Sequence, residues 1–432
     1  EGPKESTGMA LELPPVTRRR GDTMAEHKQM SEEEVRERTR ALLEEVHPEQ
    51  TESIPFRLAQ FRHGLAWVHF PEGYGGLGIS PKFNATVQDE IAKHSSVIHG
   101  DNPAGLIGIG MGAPVVLTHG SEDLKQSLLP RIFSGEDIWC QMFSEPSAGS
   151  DVAGLATRAV RDGDEWVVNG QKVWTTVAHI SKWGMLLART NPDVPKHDGL
   201  SYFVVDMKSP GVDIRPLYQI TGEAEFNEVF FNDVRIPHEN LLGKEGQGWR
   251  VAITTLMNER VAIGGGGSRK KAGGALSQLL KLWAERPAAA HSQVQETLMR
   301  DRVCQLYIES ELLRFTVDRA RGTQKAGNPG PEGSVAKLAG AEINKRMWET
   351  GIDLMGPRGL SFEAGYELRQ GMGAGLGSTE GFAKYSFLRS RANSIEGGTS
   401  EIMKNILGER VLGLPGEPRV DKEVPWKDVP RS

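Results

Sequence analysis

The stretch Met142–Thr176, MFSEPSAGSDVAGLATRAVRDGDEWVVNGQKVWTT, constrains the fold more tightly than any other part of this chain. Its first part, Phe143 to Asp151, is a turn of small residues. Ser144, Ser147, Gly149 and Ser150 bring hydroxyls and closely approachable backbone N–H groups, which can form an anion-binding concavity. Ala156–Arg161 then leads through Asp162-Gly163 into Glu165–Val168. Asn169-Gly170 is predicted to turn the chain once more, into Lys172–Thr176. Asx-Gly between alternating apolar runs is a strong hairpin signal. The last run ends in Trp174-Thr175-Thr176, a flat aromatic beside two hydroxyls. Taken singly, the turn or the hairpin is an ordinary structural feature.

The pattern on either side is helical. Ser31 and Glu34 form a capping box ahead of Val35, Thr39, Leu42, Leu43 and Val46, and Pro48 stops that helix. Phe70–Ser80 is glycine-rich, but it lacks both the GxGxxG spacing and a βαβ context, so it reads as a loop. Helical segments follow at Lys82–Ser96, Gly108–Pro114 and His119–Pro130, with Ser121 as an N-cap. From Asp137 the period becomes two, and Leu200–Met207 and Glu228–Ile236 read as strands. No helix of ordinary length fits between Ile138 and Leu242. Helical spacing returns at Gly248, where Trp249, Ile253, Leu256, Arg260 and Ile263 share a face. Gly264–Gly267 has no GK[ST] and no preceding strand, so it is a joint and not a phosphate loop. Met299–Val317 is a long amphipathic helix, Gly322–Gly333 is a loop, Ser334 can cap the next helix, and the last runs from about Thr399 to Leu412.

These patterns predict an α+β multidomain chain. An all-helical domain spans 25–136, a β-barrel or sandwich 137–243, a four-helix-bundle-like domain 244–414 and an extended tail 415–432. Residues 1–24, which include Arg18-Arg19-Arg20, read as a disordered leader. Its first eight residues read as a tag remnant, because the chain opens on Glu1. A net charge of −6 gives no footprint for nucleic acid. Cys140 and Cys304 make neither a disulfide framework nor a metal-ligand set, so no metal is expected and the default location is cytoplasmic. No apolar run approaches the roughly 18 residues of a membrane span.

The turn and the hairpin together resemble the flavin-binding signature of the acyl-CoA dehydrogenase family, and the resemblance extends from about Glu33 to Pro415. It implies that family's fold, an FAD cofactor and α,β-dehydrogenation of an acyl-CoA to a trans-2-enoyl-CoA. It further implies an electron-transfer flavoprotein or similar acceptor and a homotetramer built as a dimer of dimers. By motif position, Gln141, Phe143, Ser144, Gly149 and Ser150 line the flavin and its pyrophosphate, and Ser150 also meets the pantetheine arm. Trp174 packs on the isoalloxazine, and Thr175 and Thr176 reach its polar edge. In EGGTSEIMKN (Glu396–Asn405), Thr399 and Glu401 match FAD-contacting positions and Gly397 meets the substrate.

The family places its base glutamate either directly before the GTS of that loop or on the helix after the β domain, directly before an arginine. Here Gly397 occupies the first place, with Glu396 one residue earlier. Glu259 precedes Arg260 in the second, as in the isovaleryl-CoA dehydrogenase type. Glu259 is the first choice and Glu396 the second, and Arg260 is assigned to the substrate side. On a helical wheel Glu259 falls at the edge of the apolar stripe, where a glutamate is ordinarily a solvated flank residue. The chain departs from the family pattern in two places. Ala284–Gln293 lacks the Arg-x-x-Phe-Gly motif, and Asp353-Leu-Met-Gly-Pro357 keeps Gly356 but not the usual Gln and Gly-Gly, so the adenine end of FAD is held differently. Two alternatives share the resemblance: an acyl-CoA oxidase or flavin monooxygenase, and a non-catalytic flavin-binding partner subunit.

Overall fold

The computed structural model describes residues 29–94, 105–264, 273–286, 292–325, 332–361, 378–419 and 421–430. The leader 1–24, most of the Gly264–Gly267 run and the side chain of Arg260 lie outside the described residues.

Helix α1 (Glu32–Glu45) begins at its capping box. Glu34 N–H donates to Ser31 Oγ at 3.2 Å, and Ser31 N–H donates to Glu34 Oε2 at 2.6 Å. Val35, Leu42 and Leu43 pack into one core with α2 (Ser53–Arg62) and α3 (Asn84–Ala92). A 3-10 turn, Pro81–Phe83, leads into α3. The buried Glu90 of α3 receives Lys93 at 2.6 Å and Arg36 and Arg40 of α1 at 3.1 Å each. The Lys93 hydrogen bond, followed by those of the two arginines, holds its carboxyl down to about 2. Helices α4 (Ala113–His119) and α5 (Glu122–Ser134) complete this part. Ser121 caps α5 by accepting from Leu124 N–H at 3.3 Å.

Eight strands follow: β1 (Trp139–Met142), β2 (Arg158–Asp162), β3 (Glu165–Thr176), β4 (Trp183–Arg189), β5 (Leu200–Asp206), β6 (Val212–Pro216), β7 (Phe226–Pro237) and β8 (Leu241–Leu242). They form one sheet in the order β6-β7-β3-β2-β4-β5-β8, with β1 alongside β4. Strict alternation splits the central strands between two cores. Met185 and Leu187 of β4, with Leu200, Tyr202 and Val204 of β5, face the first helical part. Leu186, Ala188, Phe203 and Val205 face the opposite way, where they meet Trp166 and Val168 of β3 and Val229, Phe231 and Ile236 of β7. Both ends of the sheet thus contribute to one interior, so the sheet curls on itself. Cys140 is sealed in that interior, and burial pushes its thiol up to about 12.

The expected turn at Asn169-Gly170 is not there. The hairpin turns at Gly163, pairing Asp162 with Glu165, and β3 runs unbroken through Asn169-Gly170. Strand β7 lies along both halves of β3, so the chain has no reason to reverse. Val168 opposes Val234 and Gly170 opposes Phe231, so β7 carries one extra residue there. Asp233, at φ 50°, takes up the bulge, and Asn169 locks it with reciprocal bonds of 2.9 and 3.0 Å. A second shift falls between Lys172, which opposes Val229, and Thr175, which opposes Asn227. Here the extra residue is in β3, and Trp174 lies within it at φ 60°.

Among the described residues the remaining α-helices are α6 (Gly248–Gly264), α7 (Ala275–Glu285), α8 (Gln293–Lys325), α9 (Glu332–Met355), α10 (Thr379–Arg389) and α11 (Ser400–Asn405). Helices α7 to α10 share a core that includes Leu279, Leu306, Met347 and Ala383. Ser334 lies inside the first turn of α9 and not at its cap. Helix α6 instead packs on the sheet, and its buried face is rotated from the expected one. Val251, Ala252 and Thr255 are buried, while Ile253 is 42% exposed. Thr255 Oγ1 pairs with the buried Tyr202 hydroxyl at 2.9 Å, so satisfying the phenol sets the rotation. Past α11, residues 413–419 are exposed and residues 421–430 lie back along the β domain. Among the described residues no helix is long and apolar enough to cross a membrane, and no cluster of three or more metal-ligating side chains occurs.

Candidate active site

The small-residue turn is held by a buried ion pair. Lys172, fully buried on β3, donates to Glu145 Oε1 at 2.8 Å and to the Phe143 carbonyl at 3.0 Å. Glu145 also accepts the N–H groups of Ala156 and Thr157 at 2.7 and 2.9 Å. Burial works against the charge on Glu145, but Lys172 and these donors outweigh it and hold the carboxyl below its usual range. Burial pushes the Lys172 ammonium down, and the charge and hydrogen bond of Glu145 oppose that shift. Lys172 shares the inward register of Trp166 and Val168 because β3 runs on through Asn169-Gly170, and the turn expected there hid a charge that requires a buried partner.

Around this anchor the predicted residues take definite places. Phe143 is buried edge-on to Tyr202 at 5.7 Å. Ser144 is half-buried, and its carbonyl accepts from Val173 N–H at 2.9 Å. Gly149 and Ser150 are exposed, and a Cβ added to Gly149 would meet nothing within 4 Å. Trp174 is 60% exposed, because the bulge turns it out of the sheet. Thr176 is half-exposed. The extra residue at Trp174 shifts the register, so Thr175 turns to the same side as Lys172 and is fully buried.

Glu259 lies one turn beyond Thr255 on α6 and is half-buried. Gln141 Nε2 on β1 donates to its Oε2 at 3.4 Å. Burial pushes the Tyr202 phenol up, and the charge of Glu259 adds to that shift. Across from it stands the loop before α11. Thr399 caps α11 by accepting from Ile402 N–H at 3.1 Å, Glu401 is exposed in the first turn, and Gly397 and Gly398 have φ of 62° and 92°. Lys337 of α9 donates to the carbonyls of Asn393, at 3.0 Å, and Gly398. Burial lowers its pKa, against the pull of the negative charges of Glu396, Glu401, Glu259 and Glu342.

Glu396 is clamped. Arg389 donates to both its oxygens, at 3.1 and 2.8 Å, and Asn393 Nδ2 donates at 2.8 Å. The Arg389 guanidinium also lies 5.7 Å from the Phe226 ring, which meets Trp174 edge-on at 6.0 Å. Trp174, the Glu396–Thr399 loop and Glu259 are thereby brought to one seam between the sheet and the bundle. Gly356 is not. It follows α9 at the end opposite Lys337, 19 residues or about 28 Å along the helix axis. Asp353 beside it pairs with Arg302 at 2.6 Å. Lys337 and Tyr202 were not legible in the sequence, because their roles depend on partners more than 50 residues away.

The residues at the seam fit a flat aromatic cofactor with an anionic tail. They offer an out-turned indole, an open glycine turn with flanking hydroxyls, and two buried hydroxyl oxygens without partners, Thr175 Oγ1 and Ser400 Oγ. Three family models match in chain order: the acyl-CoA dehydrogenase N-terminal domain over residues 25–136, its middle domain over 140–234 and its C-terminal domain over 246–412. The chain belongs to the acyl-CoA dehydrogenase family, an FAD-dependent family, and is an acyl-CoA dehydrogenase. It is 37% identical to acyl-CoA dehydrogenase IpdE1 of Mycobacterium tuberculosis, with 82% of this chain and 86% of that one covered. It is 38% identical to acyl-CoA dehydrogenase FadE34 of the same organism over 82% of this chain but 45% of that protein, so it spans less than half of that relative's length. The ChsE4-ChsE5 complex from Mycobacterium tuberculosis has the same fold, with a TM-score of 0.67 at 26% identity, covering 91% of this chain and all of that one.

Proposed function

We propose that this enzyme removes the α proton and β hydride of an acyl-CoA thioester to give a trans-2-enoyl-CoA, with Glu259 as the base and FAD as cofactor. FAD, when bound, supplies the hydride acceptor. The chain's own residues do the rest. The Phe143–Asp151 turn, held by Glu145 and Lys172, receives the pyrophosphate, and Ser150 meets the pantetheine arm. Trp174 offers the flat wall and Thr176 a hydroxyl at its edge. Glu259 Oε2 takes the α proton while Gln141 holds the carboxylate in place. One observation carries the choice of base: Arg389 holds both oxygens of Glu396 and Asn393 holds one, which ties that carboxylate to its own loop. In Glu259→Gln, anaerobic bleaching of the flavin by an acyl-CoA is expected to slow by at least about 10²-fold with FAD still bound. Bleaching at the parental rate in that variant, together with its loss in Glu396→Gln, would reverse the assignment.

Electrons leave to an electron-transfer flavoprotein or similar acceptor. Oxygen uptake measured against dye reduction separates this from an oxidase. The solved ChsE4-ChsE5 complex contains two different chains. An apolar stripe on α8 (Leu298, Ile308, Leu312, Phe315) stands exposed here. Together these support burial of α8 against another subunit, in a homotetramer or with a related chain. Native mass spectrometry of the purified protein distinguishes the two.

A further inference from the structure

The family match ends at residue 412, and the segment 421–430 beyond it reaches back to the small-residue turn. Trp426 N–H and Lys427 N–H donate to the carbonyls of Val194 and Pro192 at 2.9 and 3.0 Å, and Pro425 bridges to Pro195. Lys427 pairs with Asp193 at 2.7 Å. Three connections then pass inward to the turn. Trp426 Nε1 donates to the Gly154 carbonyl at 3.1 Å. The Trp426 ring covers the buried Arg189 guanidinium at 4.2 Å, and that guanidinium donates to the carbonyls of Ala153 and Leu155 at 2.6 and 3.1 Å. Lys196 joins Asp421 of the segment to Asp151 of the turn, with 2.9 Å to each Asp151 oxygen.

Three successive carbonyls, 153 to 155, are therefore held by one arginine and the indole stacked on it. A held carbonyl fixes its peptide plane, so the backbone that Ser150 and Asp151 enter cannot rotate. We propose that residues 421–430 brace the Ser150–Leu155 turn in the conformation that receives the CoA arm, with Trp426 as a positioning residue acting through Arg189 and Gly154. The proposal rests on the reading above that this turn meets the cofactor and the pantetheine arm.

The test is Trp426→Ala in the full-length, FAD-loaded protein, read in two ways. Hydrogen exchange at Gly154 and Leu155, whose N–H groups close the turn onto Asp151 and Val152, is expected to speed up roughly tenfold, with α8 and α9 unchanged as the folding control. The Kd for coenzyme A, measured by calorimetry, is expected to rise roughly five- to tenfold. Trp426→Phe, which keeps a ring over Arg189, is expected to fall between parent and Ala in both. Unchanged exchange at 154 and 155 overturns the brace. Faster exchange with an unchanged Kd overturns its role in positioning. If the parent protein itself binds no coenzyme A, it is the functional reading that fails, and the exchange measurement still decides the brace.

Discussion

Trp174 and Lys172 sit two residues apart on one strand and show what the local sequence could and could not say. An L-residue at φ 60° carries a strain of about 1–2 kcal/mol, which persists only where the surroundings over-determine it. The bulge provides that constraint, and the indole is turned outward as a result. A period-two reading could place Trp174 beside two hydroxyls, but the bulge depends on β7, about 50 residues later. Lys172 had its partner Glu145 within the same motif, but its inward register follows only because β3 runs on through Asn169-Gly170. Lys172→Met would leave a buried carboxylate without its ammonium and is expected to cost about 3–5 kcal/mol in chemical denaturation. Adding Glu145→Gln should recover a large part of that loss, and failure to recover it would mean that the pair contributes little.

At the scale of elements, type was legible and orientation was not. The capping box at Ser31 and the cap at Ser121 begin their helices where composition put them. The face of α6 was misread because a Tyr–Thr hydrogen bond to another element, rather than apolar spacing alone, sets its rotation. That rotation is what carries Glu259 to the seam. The α1–α3 clamp gives a test independent of the site. Glu90 is held near 2 in the folded state against its ordinary 4.5, so its contribution is fully present above about 4.5 and fades as pH falls toward 2. Glu90→Gln is expected to lower stability at neutral pH and to flatten the acid limb between those values, as read by denaturant unfolding across pH. An acid limb of unchanged slope would remove Glu90 from the account.

For the whole molecule, the succession of helical, sheet and helical parts was visible in the switch of hydrophobic period, and the motif in Met142–Thr176 pointed to the family. The return of 421–430 was not visible, since an extended polar stretch carries no periodic signal. Assembly is also decided at this scale. Leu312 is 58% exposed on α8, in line with Ile308 and Phe315. Leu312→Glu is expected to shift the protein to a smaller species in sedimentation without changing its far-ultraviolet spectrum, and an unchanged sedimentation coefficient would place the contact elsewhere. The two thiols make that contact observable without any engineered change. Cys140 is walled into the sheet, while Cys304 stands open on α8, one turn before Ile308. A maleimide dye should therefore mark one position per folded chain. Its rate of attachment, followed as the protein is diluted, becomes a native gauge of whether that helix is covered.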